Sequence, residues 1–229
     1  MTIADKINEF NKNLSLNVAL PDGVEVMNPF ADKTTVELTE TFYNKYYSDS
    51  HPRILLLGIN PGRLGGGITG VPFTDPVKMQ ENCGIANDLQ KKTEPSAGFI
   101  YDMIDGYGGP EKFYHKYFIH AVCPLGFTKN SINYNYYDDK ELEKSVTPFI
   151  IESLNTFLSF GIDRSVCYCL GNGKNYKFLG NLNKQHRFFE YIIPLPHPRW
   201  IVQYRRKRYK EYRESYLKYL SREPFSKIL

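Results

Sequence analysis

Four short apolar runs lie along the chain, separated by longer stretches in which apolar residues recur every three or four positions. Short runs that end at glycine or proline are typical of buried parallel strands, and the longer periodicity predicts amphipathic helices. The predicted strands are 53–58, 117–122, 165–170 and 188–195. The predicted helices are 2–13, 35–47, 77–91, 96–107, 139–160 and 203–220, with Pro148 expected to kink the fifth.

Strands that alternate with helices predict an α/β fold with three α/β/α layers around a central, four-stranded, mainly parallel sheet. The 229 residues contain no repeat and no long linker, so one domain spanning 1–229 is expected. In open sheets of this class, ligands bind at the carboxyl ends of the strands.

Two polar side chains follow predicted strands at that edge. The first strand runs into Gly58–Gly62 (Gly-Ile-Asn-Pro-Gly), and the last into Leu195–Arg199 (Leu-Pro-His-Pro-Arg). Asn60 and His197 are therefore expected to face each other across a pocket. A carboxamide can orient a water molecule, and a neutral imidazole can donate to an oxygen that gains charge. Phe73 is either a core residue or a platform on which a flat ring stacks.

The charge of the chain is unevenly distributed. The formal net charge is +4, whereas the segment from Arg199 to Lys218 holds eight Lys or Arg and two Glu, a local net charge of +6. This asymmetry suggests a polyanion partner on one face of the protein, with a solvated helix face as the alternative.

The four cysteines lack the spacing of a zinc or iron–sulfur site, so no metal and no cofactor are expected. They are interpreted as reduced packing residues, which predicts a cytoplasmic protein. The first ten residues contain Asp5, Lys6 and Glu9 where a signal peptide needs an apolar core. No apolar stretch approaches the roughly 20 residues of a membrane span.

Taken together, these segments resemble the uracil-DNA glycosylase superfamily, most closely its single-strand-selective monofunctional branch, as a divergent bacterial-type member. That branch carries Gly-Met-Asn-Pro-Gly and Thr-Gly-Val-Pro-Phe, and this chain has Gly58–Gly62 and Thr69–Phe73 at a matching interval. Phe118–Leu125 is similar to the second-strand segment of the branch, and Leu195–Arg199 to its His-Pro motif.

The resemblance implies a monofunctional DNA glycosylase that hydrolyses the N-glycosidic bond of uracil or a related deaminated base flipped out of DNA, acting by default as a monomer. Asn60 would position the attacking water and His197 would stabilise charge on the leaving base. The implied base-binding residues are Gly58, Ile59, Gly62, Phe73 and Ala121. The implied DNA-binding residues are Arg63, Arg199, Trp200, Arg205, Arg206, Lys207 and Arg208.

Two departures from the family pattern change the expectations. The His-Pro-Ser-Pro-Arg of the family is contracted here to His-Pro-Arg-Trp, so the wedge that enters DNA is built differently. The family's base-reading asparagine is replaced by Ala121, which predicts a broader or shifted range of deaminated bases. Asn130, Asn133 and Asn172 are candidates to compensate.

Two other functions stay open. One is a nucleic-acid-binding module of the same fold without catalysis, against which the presence of both Asn60 and His197 argues. The other is a hydrolase of small nucleosides, against which the basic segment after His197 argues.

Overall fold

The computed structural model describes residues 1–221. The helices of this part of the chain are α1 Ile3–Lys12, α2 Lys33–Tyr46, α3 Gly66–Thr69, α4 Pro76–Glu81, α5 Pro95–Tyr107, α6 Pro110–Lys116, α7 Lys140–Ser159, α8 Lys174–His186, α9 Pro198–Tyr204 and α10 Tyr209–Leu220. The strands are β1 Val24–Met27, β2 Arg53–Gly58, β3 Tyr117–Ala121, β4 Gly126–Lys129, β5 Ile132–Tyr134, β6 Ile162–Leu170 and β7 Tyr191–Leu195. Short 3₁₀ helices occupy Pro29–Ala31 and Arg206–Arg208.

The central sheet has the strand order β3-β2-β6-β7, and each neighbouring pair is parallel. Leu55, Leu56 and Leu57 of β2 are fully buried, as expected of a strand covered by helices on both faces. Pro194 lies in β7 at the edge of the sheet, where a missing backbone N–H is tolerated. The predicted α/β fold with a four-stranded parallel sheet is confirmed.

A second, antiparallel sheet with the order β1-β4-β5 was not predicted. Its strands are only three or four residues long and mix polar with apolar residues, so they lack a clear period. Asn130 and Ser131, both with positive φ, form the turn of the β4–β5 hairpin. This hairpin contacts the loop that follows β2, as the bonds of Asn60 described below show.

Several helix boundaries differ from the predictions. The helix predicted over 77–91 ends at Glu81, and Gly84 nearby has φ +64°, which is incompatible with a continuing helix. The segment predicted as one helix over 203–220 belongs to two helices. The first, α9, begins at Pro198 and ends at Tyr204, and the second, α10, begins at Tyr209. The helix predicted over 139–160 is α7, and Pro148 lies inside it.

Candidate active site

A cavity of about 230 Å³ opens at the carboxyl edge of the central sheet. Its wall combines the loop after β2, the start of α5, the end of the β4–β5 hairpin and α9. The lining residues are Ile59, Asn60, Pro61, Gly62, Phe73, Glu94, Ser96, Asn133, Asn135, His197, Arg199, Trp200, Gln203 and Tyr204. A recess of about 30 Å³ shares Asn60, Phe73 and Glu94 with this cavity and extends to Ala121. The structure thus brings Asn60 and His197 to one cavity.

Asn60 is held on both sides of its carboxamide by backbone groups at the end of β5 and just after it. Its Nδ2 donates to the carbonyl oxygen of Tyr134 at 3.2 Å, and its Oδ1 accepts from the backbone N–H of Tyr136 at 3.1 Å. Nδ2 also donates to the carbonyl oxygen of Pro61 at 3.4 Å, so both of its N–H groups have partners, whereas Oδ1 can accept one further hydrogen bond. The orientation of Asn60 is therefore fixed while its Oδ1 is left to accept a hydrogen bond from a ligand or a water molecule.

Two buried side chains, Tyr136 and Asn175, link the segment that holds Asn60 to the end of β2. The hydroxyl of Tyr136 donates to Asn175 Oδ1 at 2.7 Å, and Asn175 Nδ2 donates to the carbonyl oxygen of Gly58 at 3.2 Å. Asn175 is only 1% exposed. The end of β2 and the segment that holds Asn60 are thus connected through α8, a link that motif spacing could not reveal.

His197 caps the first turn of α9. Its Nδ1 accepts from the backbone N–H of Arg199 at 3.1 Å, and Pro198 occupies the first helical position. Burial lowers the pKa of His197 to about 4, and the Arg199 guanidinium acts in the same direction. Because Nδ1 accepts a hydrogen bond in a neutral ring, the proton resides on Nε2. His197 is therefore a neutral hydrogen-bond donor at the cavity.

Phe73 lies between the two strand ends in a strained conformation. Its φ is +54°, which is unusual for a bulky residue and costs on the order of 1–3 kcal/mol. Its ring centroid is 5.8 Å from that of His197. A Cβ on Gly58 would come within 2.7 Å of the Phe73 ring, so only glycine at the end of β2 admits the ring there. The half-buried ring forms one wall of the cavity.

Comparisons with known proteins agree with these motifs. The family model of the uracil DNA glycosylase superfamily matches residues 45–221. The crystal structure of wild-type Pedobacter heparinus SMUG2 is 47% identical, with a TM-score of 0.94, and the match covers 96% of this chain and 97% of that one.

The chain belongs to the uracil DNA glycosylase superfamily. The family expectation drawn from the motifs is confirmed, and so is the fold that it implied. Within residues 1–221, no helix is both long and apolar enough to cross a bilayer.

Ala121, which stands where the family pattern has a base-reading asparagine, lines the recess. Gly58, Ile59, Gly62, Phe73 and Ala121, the five predicted base-binding residues, all line it. Its volume of about 30 Å³ corresponds to roughly one water molecule in the liquid. Ala121 is 3% exposed and presents only a methyl group.

Of the three asparagines considered as replacements, only Asn133 lines the cavity. Its Oδ1 accepts from the backbone N–H of Arg63 at 3.1 Å, so Nδ2 is its available group. Asn130 lies in the exposed hairpin turn and Asn172 is exposed before α8.

Glu94 was missed by the sequence analysis. It precedes α5 and lines both the cavity and the recess. Burial raises the pKa of Glu94 to about 7, Asp75 acts in the same direction and Arg199 opposes it. No strand or glycine motif borders Glu94 in the sequence, so no signal distinguished it from a solvated glutamate.

Three of the seven predicted DNA-binding residues line the cavity or the pocket beside it, and the other four form a cluster after α9. Arg63 and Arg199 line an outer pocket beside the cavity and are exposed. Trp200 is half-buried, packs edge-on against Tyr212 and lies under the Arg205 guanidinium at 4.6 Å. The cluster that follows α9 is exposed throughout and consists of Arg205, Arg206, Lys207 and Arg208.

Proposed function

We propose that this protein is a monofunctional DNA glycosylase that hydrolyses the N-glycosidic bond of uracil or a related deaminated base in DNA. Membership of the superfamily supports a glycosylase acting on DNA. The observation that carries the proposal is that Asn60 and His197 line one cavity of about 230 Å³ with Phe73 between them.

The base must leave the DNA stack to reach this cavity, at an unstacking cost of about a few kcal/mol. Stacking on the Phe73 ring returns part of that cost. The neutral His197 side chain then donates from Nε2 to the O2 oxygen of a pyrimidine, where negative charge develops as the bond to C1′ breaks. A neutral donor suits this task at physiological pH, since the low pKa of His197 keeps the ring uncharged.

Asn60 positions the water that attacks C1′. The backbone bonds to Tyr134 and Tyr136 hold its carboxamide, so no reorganisation is needed during the reaction. The water oxygen bonds to C1′, the water proton is released, and the departing base takes up a proton. The product is an abasic site in an intact strand.

The composition of the cavity supports a monofunctional reaction. None of the described residues that line the cavity or its recess is a lysine, the side chain that would form a covalent Schiff base with C1′.

Duplex or single-stranded DNA would approach the mouth along Arg63 and Arg199. Trp200 borders the cavity beside Arg199, and we expect it to press on the neighbouring base. The cluster Arg205–Arg208 directly follows Tyr204, which itself lines the cavity, so it extends the positive surface outward for phosphate contacts.

Base excision from oligonucleotides that carry uracil, xanthine or hypoxanthine tests the proposal, with alkali-revealed strand cleavage as the readout. We expect excision by the wild type and a loss on the order of a hundredfold or more in Asn60→Ala and in His197→Ala. Exposed Asn172→Ala serves as the matched control.

DNA binding without excision of any base would instead establish the non-catalytic module. Release of the base from free nucleosides but not from oligonucleotides would establish a small-nucleoside hydrolase. Excision that survives both substitutions would show that the catalytic assignment is wrong.

A further inference from the structure

The side chain of Glu94 lines the cavity and its recess, but no hydrogen bond or ion pair among the described residues explains its position there. Glu94 holds the N-cap position of α5, yet its carboxylate makes no cap hydrogen bond. Within residues 1–221, the carboxylate has neither a hydrogen bond nor an ion pair. Because Glu94 is half-buried, a ligand that displaces water from its carboxyl must offer that group a hydrogen bond in return.

The backbone at Glu94 is anchored so that the side chain stays directed into the pocket. The buried Asp75 carboxylate accepts from the Glu94 backbone N–H at 2.7 Å and from that of Lys78 at 2.8 Å. Asp75 is 1% exposed. The start of α4 and the start of α5 are thereby joined at Glu94.

The glycine-rich loop leaves space for the Glu94 carboxyl. A Cβ on Gly65 would lie 2.0 Å from Glu94 Oε2, an impossible distance. A Cβ on Gly62 would lie 3.5 Å from Glu94 Oε1 and 3.5 Å from Asn133 Nδ2. Glu94 and Asn133 therefore approach the same side of the pocket.

Glu94 and Ala121 line the same recess, and Ala121 offers no hydrogen bond to a base edge that faces it. We propose that the Glu94 carboxyl reads the edge of the flipped base in the recess that Ala121 leaves without a polar side chain. This inference rests on the proposed glycosylase function and names the residue that recognises its substrate.

The chemistry of a carboxyl group defines the class of base. A protonated carboxyl has one donor and one acceptor side by side, so it can donate to a carbonyl oxygen and accept from the adjacent N–H. This amide edge is O4 and N3–H in uracil, and O6 and N1–H in hypoxanthine. An ionised carboxylate has only acceptors, and one of its oxygens would oppose the carbonyl oxygen of the base.

Because the pKa of Glu94 is about 7, both forms exist near neutral pH. Other titratable or charged side chains also face this region: Asp75 from the start of α4, His197, Arg199 and Tyr204 from α9, and Arg63 from the loop after β2. A variant that removes only the titration of Glu94 is therefore needed as the baseline.

The test compares single-turnover excision of uracil by wild type, Glu94→Gln and Glu94→Ala from pH 5.5 to 8.5. A glutamine keeps a donor and an acceptor, so we expect Glu94→Gln to stay within about threefold of the low-pH wild-type rate. We expect Glu94→Ala to lose about 10- to 100-fold in kcat/KM, because the base edge is left unpaired. The wild-type rate should fall relative to Glu94→Gln as pH rises through about 7.

Two further variants check position and fold. Gly65→Ala displaces the carboxyl without changing its chemistry and should approach the loss of Glu94→Ala. Glu81→Gln, at the exposed end of the neighbouring α4, should leave the rate unchanged. Urea midpoints of all variants separate loss of recognition from loss of folding.

A modified substrate tests the contact itself. N3-methyluracil lacks the N–H that Glu94 would accept from, so Glu94→Ala should slow its excision far less than that of uracil.

Other outcomes overturn the inference. If Glu94→Gln fails as severely as Glu94→Ala and the wild-type rate rises with pH through about 7, Glu94 acts as a base on the attacking water. If Glu94→Ala matches the wild type, Glu94 has no role in recognition. If the wild type excises no base at all, the proposed function itself fails, and this inference with it.

Discussion

Asn60 and His197 line the same cavity, but the chain positions them in different ways. Apart from the adjacent Pro61 carbonyl, the partners of Asn60 are backbone groups 74 and 76 residues away in sequence, at the end of the β4–β5 hairpin and just after it. The partner of His197 is the backbone N–H two residues further along. One side chain depends on tertiary contacts, and the other on a local helix cap.

Because of this difference, we expect substitution of Asn60 to affect both stability and activity, and substitution of His197 by another capping residue to affect activity alone. The carboxamide of Asn60 supplies the hydrogen-bond partners of the Tyr134 carbonyl and the Tyr136 N–H. It therefore stabilises the fold in addition to its proposed part in the chemistry. The ring of His197 satisfies one N–H of α9, a task that other capping residues can perform.

The sharpest test of the comparison is the pair Asn60→Ala and His197→Asn. Both should lose excision on the order of a hundredfold, since each removes a preorganised group. Asn60→Ala should also lower the free energy of unfolding by about 1–3 kcal/mol, because the Tyr136 N–H and the Tyr134 carbonyl lose their partner.

His197→Asn should leave the free energy of unfolding nearly unchanged, because asparagine is among the best N-caps. Single-turnover excision and urea denaturation measure the two effects. Equal destabilisation by both substitutions would contradict the distinction between a tertiary and a local support.

The support of Asn60 through α8 predicts a smaller effect. Asn175→Ala removes the link between the Tyr136 hydroxyl and the Gly58 carbonyl. We expect about a tenfold lower excision rate and a loss of about 1–3 kcal/mol in unfolding free energy. Exposed Asn172→Ala is the matched control in the same segment, and an unchanged rate in Asn175→Ala would show that Asn60 does not need this link.

The lowered pKa of His197 predicts that the free energy of unfolding depends on pH. Burial lowers the pKa of His120 and of His197 to about 4, below the usual 6.5. Between these values the two histidines bind more protons in the unfolded chain than in the folded one, so their contribution to stability falls as pH falls from about 6.5 to about 4. Glu94, whose pKa is raised to about 7, contributes in the opposite direction.

His197→Asn should reduce the slope of unfolding free energy against pH in this window and leave the contributions of His120 and Glu94. Urea denaturation at pH 7 and pH 4.5 measures it. An identical slope in the wild type and in His197→Asn would mean that His197 is protonated as readily in the folded protein as in the unfolded chain.

The smallest expected effect concerns the basic cluster after α9. Arg206 and Lys207 are exposed and make no side-chain hydrogen bond or ion pair within residues 1–221, whereas Arg208 pairs with Glu211 at 2.8 Å. Replacing Arg206 and Lys207 by serine should lower the slope of log affinity against log salt by roughly 0.9 for each duplex phosphate that the variant no longer neutralises.

Excision at saturating enzyme should not change in that double variant, and Arg208→Ser should alter the slope less. DNA binding at several salt concentrations measures the slope. An unchanged slope would mean that Arg206 and Lys207 do not contact phosphates and belong to a solvated surface.

The sequence determined the central sheet and the residues at its edge. The four apolar runs predicted the parallel strands because a strand buried on both faces needs continuous hydrophobicity. The β4–β5 hairpin and the early start of α9 lacked such a signal, because short half-buried strands and a proline-led helical turn resemble loops in a single sequence.

Asn60 and His197 were recognisable because each directly follows a predicted strand within a short motif. Glu94 and Asn175 carry no local pattern of that kind, and only the folded chain places them beside Gly65 and Gly58. Local sequence thus defines which residues stand at the ends of strands. Tertiary packing decides which side chains from distant loops meet them there, because such contacts depend on distances between elements and not on spacing along the chain.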